Sequence, residues 1–406
     1  MIRPIKQLMK RTRGSIRSAV STEVCPFCFE TFKLNATPFR CASPPQLCSP
    51  QPDPVLIKRW EDKVLTGRVL PAPGKRFVLF QQCPNCSEKS HKRLCPHCHQ
   101  ELPHTFAEHR NYIIALIGAK TSGKSHYLPV LIEQLKRHVG PRMDMLLQPM
   151  NDATISRYRN DFFDPLFNQH KLIEGTFSAL QVRANQLPMT FSLTFTGKGL
   201  LGGDRIKRSI SLAFFDTAGE DLKAEDTMNV VNKYIYRSDG IILLIDPLQL
   251  GPVRDRLPAS MGLPLVDAET SDIVTRVTTL IRRGRGLDND AKIPTPLAVA
   301  LSKVDAVEVL LDPQSPLKAA PSPSTRFDRR DFVAVDGEVR SLIAEWDSEY
   351  LLQQVRTHFK RSGFFALTAL GGHPDAARNV KNIVPRRVVD PFLWLLAQHG
   401  LIKTSR

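Results

Sequence analysis

From Tyr112 onward the chain alternates short apolar runs with longer amphipathic stretches, the pattern of a parallel sheet wrapped by helices. Tyr112–Ile117 reads as a buried strand and Ser125–Val139 as the helix after it. Met143–Met150 predicts an additional strand and Ala153–His170 an inserted helix. Leu187–Thr196 and Ser209–Phe215 alternate as two paired strands joined by the Gly-rich turn 197–203. A helix over Asp226–Arg237, a strand over Gly240–Ile245, a helix over Ala268–Arg283 and a strand over Leu297–Leu301 follow. Residues 312–335, rich in Pro, Ser and Arg, predict a surface loop, and a long helix from Glu338 to about Phe359 leads to a strand at Phe364–Leu367.

The first quarter is patterned differently. All eight cysteines lie between positions 25 and 98 and none in the following 308 residues. Residues 1–22 form a basic tail whose Ile2, Ile5, Leu8, Met9 and Ile16 suit either a short amphipathic helix or a disordered arm. Phe77–Phe80 reads as a strand between two cysteine groups. The expected organisation is therefore a tail (1–22), a double zinc-binding module (23–105) and an α/β nucleotide-binding domain with insertions (110–402).

With 42% hydrophobic and 24% charged residues, the 406-residue chain has the profile of a globular protein. No apolar run approaches the roughly 20 residues of a membrane span, and charges interrupt the N-terminus where a signal peptide would be apolar. These features predict a cytoplasmic protein. The net charge is +16, and residues 1–110 carry 18 basic against 8 acidic residues. Such a module suits nucleic acid, an acidic surface or an acidic partner protein.

The cysteines run Cys25-x2-Cys28-x12-Cys41-x6-Cys48, then Cys83-x2-Cys86-x8-Cys95-x2-Cys98, with proline after Cys25, Cys83 and Cys95. Tight turns between paired thiolates suit tetrahedral zinc, and disulfides would need an oxidising compartment. Read sequentially, the ligand sets are Cys25, Cys28, Cys41, Cys48 and Cys83, Cys86, Cys95, Cys98, each holding one structural Zn²⁺. An interleaved arrangement pairing Cys25 and Cys28 with Cys83 and Cys86 also satisfies the spacing. His91, His97, His99 and His104 crowd the second set as bystanders or supporting groups.

Chemistry enters the second region at Gly118, Ala119, Lys120, Thr121, Ser122, Gly123, Lys124, Ser125 and His126. This is a G-x-x-x-x-G-K-S phosphate loop between a predicted strand and a predicted helix. Glycines let amides turn inward around a β-phosphate, and the helix N-terminus adds partial positive charge. Lys124 is expected to bridge the β- and γ-phosphates and the Ser125 hydroxyl to ligate Mg²⁺. A later strand ends in Asp216-Thr217-Ala218-Gly219, where Asp216 can hold the ion through water and the Gly219 amide can meet a γ-phosphate. Ser302-Lys303-Val304-Asp305 offers a carboxylate that can accept from both N1 and N2 of guanine, with a lysine stem to cover the ring. Thr368-Ala369-Leu370 closes the order with a backbone amide for guanine O6.

These motifs resemble the translation-factor and Ras-like class of P-loop GTPases over about residues 110–400. The resemblance implies GTP/GDP as ligand, Mg²⁺ as cofactor, and a switch threonine before the paired strands, for which Thr176 is the choice. Two departures stand out: Ser302 replaces the usual Asn or Thr, and Glu220 occupies the position of the water-orienting Gln. Hydrolysis is therefore expected to be slow, on the order of 10⁻⁴ per second unaided, with a partner setting the rate.

Across nearly all 406 residues the chain also resembles bacterial proteins of the double-GTPase type, in their second domain family. Cys25-Pro26-Phe27-Cys28, Leu94-Cys95-Pro96-His97-Cys98-His99, Asp216–Asp221, Ile245-Asp246-Pro247 and Val389–Leu396 carry that likeness. It implies a regulatory GTPase working beside a second GTPase and regulatory or activating proteins in a bacterial signalling or conflict system. A P-loop ATPase, and a nucleic-acid-binding zinc protein regulated by nucleotide, are the alternatives.

Overall fold

The computed structural model describes residues 22–60, 65–74, 78–103, 106, 111–173, 188–198, 204–214, 228–258, 261, 263–266, 273–319, 321, 324–347, 349–372, 374–375, 378–380 and 382–405. The expected features at the tail, Thr176, Gly197–Gly203 in part, and Asp216–Glu220 lie outside them. Two compact units emerge: Met1–Tyr112 with Ile206–Leu212, and Ile113–Arg205 with Ala213–Arg406.

The first unit is built from fragments. Thr22–Val24 pairs antiparallel with Thr31–Lys33, Gln51–Pro52 with Leu65–Thr66, and Gln81–Gln82 with Lys89–Ser90. Phe39–Arg40 lies between Val69–Leu70 and Lys92–Arg93 in a three-stranded sheet. Residues 78–80 are not a strand; Val78 packs against a small core and its carbonyl accepts from Arg93. One core cluster joins Phe27, Phe32, Leu34, Leu102 and Phe106 to four cysteines, and another joins Phe39 and Leu70 to Cys41, Cys48 and Cys83.

The second unit centres on a parallel sheet. Its strands are β1 (Ile114–Gly118), β5 (Gly240–Ile245), β6 (Leu297–Leu301) and β7 (Ser362–Ala366), in the spatial order β1-β5-β6-β7. β1, β5 and β6 are buried along their whole length, as expected for strands covered on both faces. β2 (Met145–Pro149) and β3 (Met189–Lys198) pair antiparallel apart from that sheet, and the next strand in the chain is β4 (Asp204–Phe214), whose Ile206–Leu212 groups with the first unit.

The helices are α1 (Lys124–Gln134), which runs on through π-type turns to Val139, α2 (Met228–Arg237), α3 (Ile273–Arg285), α4 (Arg329–Asp347), α5 (Tyr350–His358) and α6 (Asp390–Gln398). The inserted helix begins at Asp152, capped by the Asn151 side chain, and also continues through π-type turns, from Tyr158 to Asn168. The single long helix expected over 338–359 is two. α4 begins at Arg329 inside the expected loop, where Asp328 caps the amides of Arg330 and Asp331, and Glu349, at φ +62°, precedes α5. Phe332, Phe365 and Trp394 pack ring to ring and tie α4, β7 and α6 together. None of the described helices is long and apolar enough to cross a membrane.

Candidate functional site

The phosphate loop connects β1 to α1 as the motif requires. Thr121 (φ +66°) and Gly123 (φ +89°) both adopt left-handed backbone, which curls residues 119–123 into a tight arch. A Cβ at Gly118 would strike Ser122 Oγ and the Leu244 carbonyl, so the strand can turn there only with glycine. Lys124 Nζ donates to the carbonyls of Gly118 (2.7 Å) and Ala119 (2.9 Å), arching over the loop. Ser122 Oγ is fully buried and has no hydrogen-bond partner among the described residues, an orphaned polar atom within the loop. Ser125 and Lys120 follow the loop at intermediate and exposed positions. The donor set fits a bound polyphosphate.

The segments expected to read the base gather where β5, β6 and β7 end. Ser302 donates from Oγ (3.1 Å) and from its backbone N–H (2.8 Å) to the Ile245 carbonyl, fastening the β6 end to β5. Lys303 then turns into left-handed backbone (φ +52°). Thr368 and Asp305 hold each other twice: the Thr368 hydroxyl donates to Asp305 Oδ1 (3.0 Å) and accepts from the Asp305 N–H (3.1 Å). This orients the carboxylate before any ligand arrives. The Thr368 N–H donates to the Arg386 carbonyl, and the Arg386 N–H donates back to the Thr368 carbonyl. Arg386 in turn pairs with Glu308 (2.8 Å), whose carboxyl it holds below the usual range.

The His126 side chain ties the start of α1 to a neighbouring segment. Its Nε2 accepts from the Ile173 N–H (3.1 Å). Burial, with the charges of Lys303 and Arg378 nearby, pushes it down to about 4, so it is neutral at pH 7 and able to accept. Leu172 N–H donates to the Arg378 carbonyl and Val380 N–H to the His170 carbonyl, extending this anchorage to the chain just before Thr176. Thr176, Asp216, Gly219 and Glu220 themselves fall outside the described residues. Asp246, which the sequence offers only as part of the Ile245-Asp246-Pro247 likeness and without a role, places its Oδ2 2.6 Å from Lys303 Nζ. The available signal was a carboxylate closing an otherwise wholly apolar strand.

The cysteines form two tetrads, but not the sequential ones. Cys25, Cys28, Cys95 and Cys98 come together, and Cys41, Cys48, Cys83 and Cys86 form the second set. The interleaved alternative is not formed either; the pairing is nested, outer arms together and inner arms together. The cause is strand pairing: Phe39–Arg40 lies beside Lys92–Arg93 and the Leu94 N–H donates to the Pro38 carbonyl, which fixes where the last cysteine pair lies. Cross-pair sulfur distances are 3.6–3.9 Å, against roughly 3.8 Å for tetrahedral zinc with Zn–S near 2.3 Å. None of the eight is in a disulfide, and four sulfurs meet in each group, so the donor set fits zinc.

Three corners share one turn. The N–H groups of Cys25, Cys83 and Cys95 donate to the carbonyls of Glu30, Glu88 and Gln100, and Phe29, Ser87 and His99 each take positive φ. Between the tetrads lies buried Asp53, which meets Arg40 Nη2 (3.0 Å) and His99 Nδ1 (2.9 Å) while capping the helix Pro54–Trp60 through Val55 N–H. Arg40 precedes Cys41 and His99 follows Cys98, so this network joins the two clusters.

No family model matches the chain. It is 28% identical over 328 residues to SaeC of Mycolicibacterium smegmatis, a protein named for a proposed role in ESX-1 scaffolding and assembly, covering 76% of this chain and 80% of that one. Among solved structures, the Arl6 (BBS3) small GTPase of Trypanosoma brucei with bound GppNp overlaps 71% of this chain and 98% of its own at 12% identity and TM-score 0.28. The SRβ-GTP/SRX complex of the signal recognition particle receptor of Chaetomium thermophilum overlaps 66% and 95% at 13% and 0.28. A GTP-binding protein of Sulfolobus solfataricus with GDP overlaps 71% and 53% at 11% and 0.27.

Proposed function

We propose that the chain binds guanine nucleotide and serves as a slow, partner-stimulated GTP switch in a bacterial signalling or assembly system. The observation that carries this reading is the Thr368–Asp305 lock at the strand ends that also present the phosphate loop's neighbour, β5. A carboxylate oriented there by one hydrogen bond, with acceptor sites left on both oxygens, suits the N1 and N2 donor pair of guanine, which adenine lacks. Lys303 covers the ring and the Ala369 amide meets O6. The loop amides and Lys124 hold the phosphates. Mg²⁺, when bound, would neutralise phosphate charge, and Ser125, Asp216 and Thr176 are the residues that would hold it.

In the sequence motif Glu220 takes the place of the water-orienting Gln of Ras-like GTPases, a poor electrostatic choice for a group meant to work beside a polyanion, so an activating protein sets the turnover rate. Two Zn²⁺ ions, one per cysteine tetrad, order the first unit without open coordination positions, which makes them structural. That unit is then the docking platform for protein partners, a second GTPase and regulatory proteins among them. The likeness to SaeC supports an assembly setting for those contacts.

Equilibrium titration with a fluorescent GTP analogue and Mg²⁺ tests the site. The full chain should bind, and Lys124→Ala should abolish binding; unchanged affinity in that variant removes the loop from the site.

A further inference from the structure

The Lys303–Asp246 pair has a geometry that a surface ion pair lacks. Asp246 ends β5, the strand lying between β1, which feeds the phosphate loop, and β6, which delivers Lys303. Its side chain is only 2% exposed, and it is fixed before any ligand binds. Oδ1 accepts from the Leu248 N–H (3.0 Å), and Pro247 follows directly in a short 3₁₀ turn. Oδ2 receives the Lys303 ammonium at 2.6 Å. The lysine side chain is 34% exposed even though its amine is tethered to this buried carboxylate. The left-handed Lys303 backbone and the Ser302–Ile245 hydrogen bonds aim the side chain from β6 back toward β5.

We propose that Asp246 is a positioning residue that clamps the Lys303 ammonium so that its methylene stem lies flat as a cover over the purine ring; this rests on the guanine-nucleotide reading above. Lysine carries about 2 kcal/mol of rotamer entropy and a strongly hydrated charge. Left untethered beside a nucleotide, it would swing toward the phosphates, or into solvent, and expose the ring. A buried, capped carboxylate removes that freedom in advance, which is preorganisation in the ordinary sense. The cover is apolar contact with a ring face, so it acts alike on every purine, whereas Asp305 reads the base edge.

That division sets the test. Release of fluorescent GDP and fluorescent IDP is followed by stopped flow from the full chain and from Asp246→Asn, Lys303→Met and the double variant. Asparagine can still cap Leu248, so loss of the turn is not what is read. Asp246→Asn should speed release of both nucleotides about tenfold, with their ratio unchanged, and should add nothing in the Lys303→Met background. An Asp246→Asn effect that persists undiminished beside Lys303→Met, that alters the GDP-to-IDP ratio, or that is absent, overturns the proposal. If the unsubstituted chain holds neither nucleotide, the guanine reading itself falls instead.

Discussion

In the sheet unit, β1, β5 and β6 bury five or six consecutive residues each against packed helices; around the cysteines, between residues 22 and 103, the described strands are two or three residues long, and cysteines make up about half of each small core. The first kind of order comes from apolar area removed from water, the second from ligands expected to share a cation. The difference teaches where each unit is vulnerable. It also explains why chemistry sits as it does: a rigid sheet can present loops at its strand ends, while a ligand-held module can spend its sequence on exposed, basic surface.

Chelation should break the comparison most strongly. Structural zinc contributes roughly 10–16 kcal/mol of apparent binding energy in small modules. Stripping two equivalents from the full chain should therefore make amides of residues 22–103 exchange fast while those of β1 and β5 remain protected; metal analysis and hydrogen exchange read both. Uniform protection after metal loss would show that apolar packing holds both units. Conversely, Leu243→Ala in the centre of β5 should cost about 2–5 kcal/mol in urea unfolding of the sheet unit, and zinc stoichiometry should stay at two.

Asp53→Ala sharpens the picture within the cysteine unit. It removes the buried carboxylate of Arg40, leaving that guanidinium only the half-exposed Glu101 at 3.5 Å, and removes the carboxylate that meets His99, with an expected loss of about 2–3 kcal/mol. Because Asp53 joins the clusters, both tetrads should yield zinc to a chelator faster; a change confined to one would contradict that link. The smallest effect concerns pH. Burial holds Asp390 up at about 6, with Arg387 opposing and Asp331 adding to the rise. The folded chain thus keeps a proton that the unfolded chain has lost above its ordinary 3.8, and stability present below pH 4 declines as pH rises through 6. Asp390→Asn should flatten that slope in denaturant titrations between pH 4 and 7.

Legibility followed the same division. Gly240–Ile245 and Leu297–Leu301 were readable to the residue because an unbroken apolar run has one outcome between polar flanks. The phosphate loop was readable because its glycines and Lys124 are contiguous. α4 was hidden by its opening Arg329 and Arg330, which resemble a loop, although Phe332, Val335 and Val339 already repeat at helical spacing. The nested cysteine pairing was not legible, since spacing within an arm says nothing about which arm it meets; the Phe39–Arg93 register decides that. Asp246 and Lys303, 57 positions apart, were likewise joined only by the sheet order.

The central claim, that Asp305 reads guanine beside a phosphate loop, is tested most directly by competition for a fluorescent GTP analogue in wild type and Asp305→Asn. Asparagine exchanges a double acceptor for one acceptor and one donor, which suits xanthine's edge in place of guanine's. Wild type should favour GTP over ATP and XTP by at least about tenfold, and Asp305→Asn should reverse the order of GTP and XTP. Equal competition by ATP in wild type, or a variant whose preference does not move, would contradict the account.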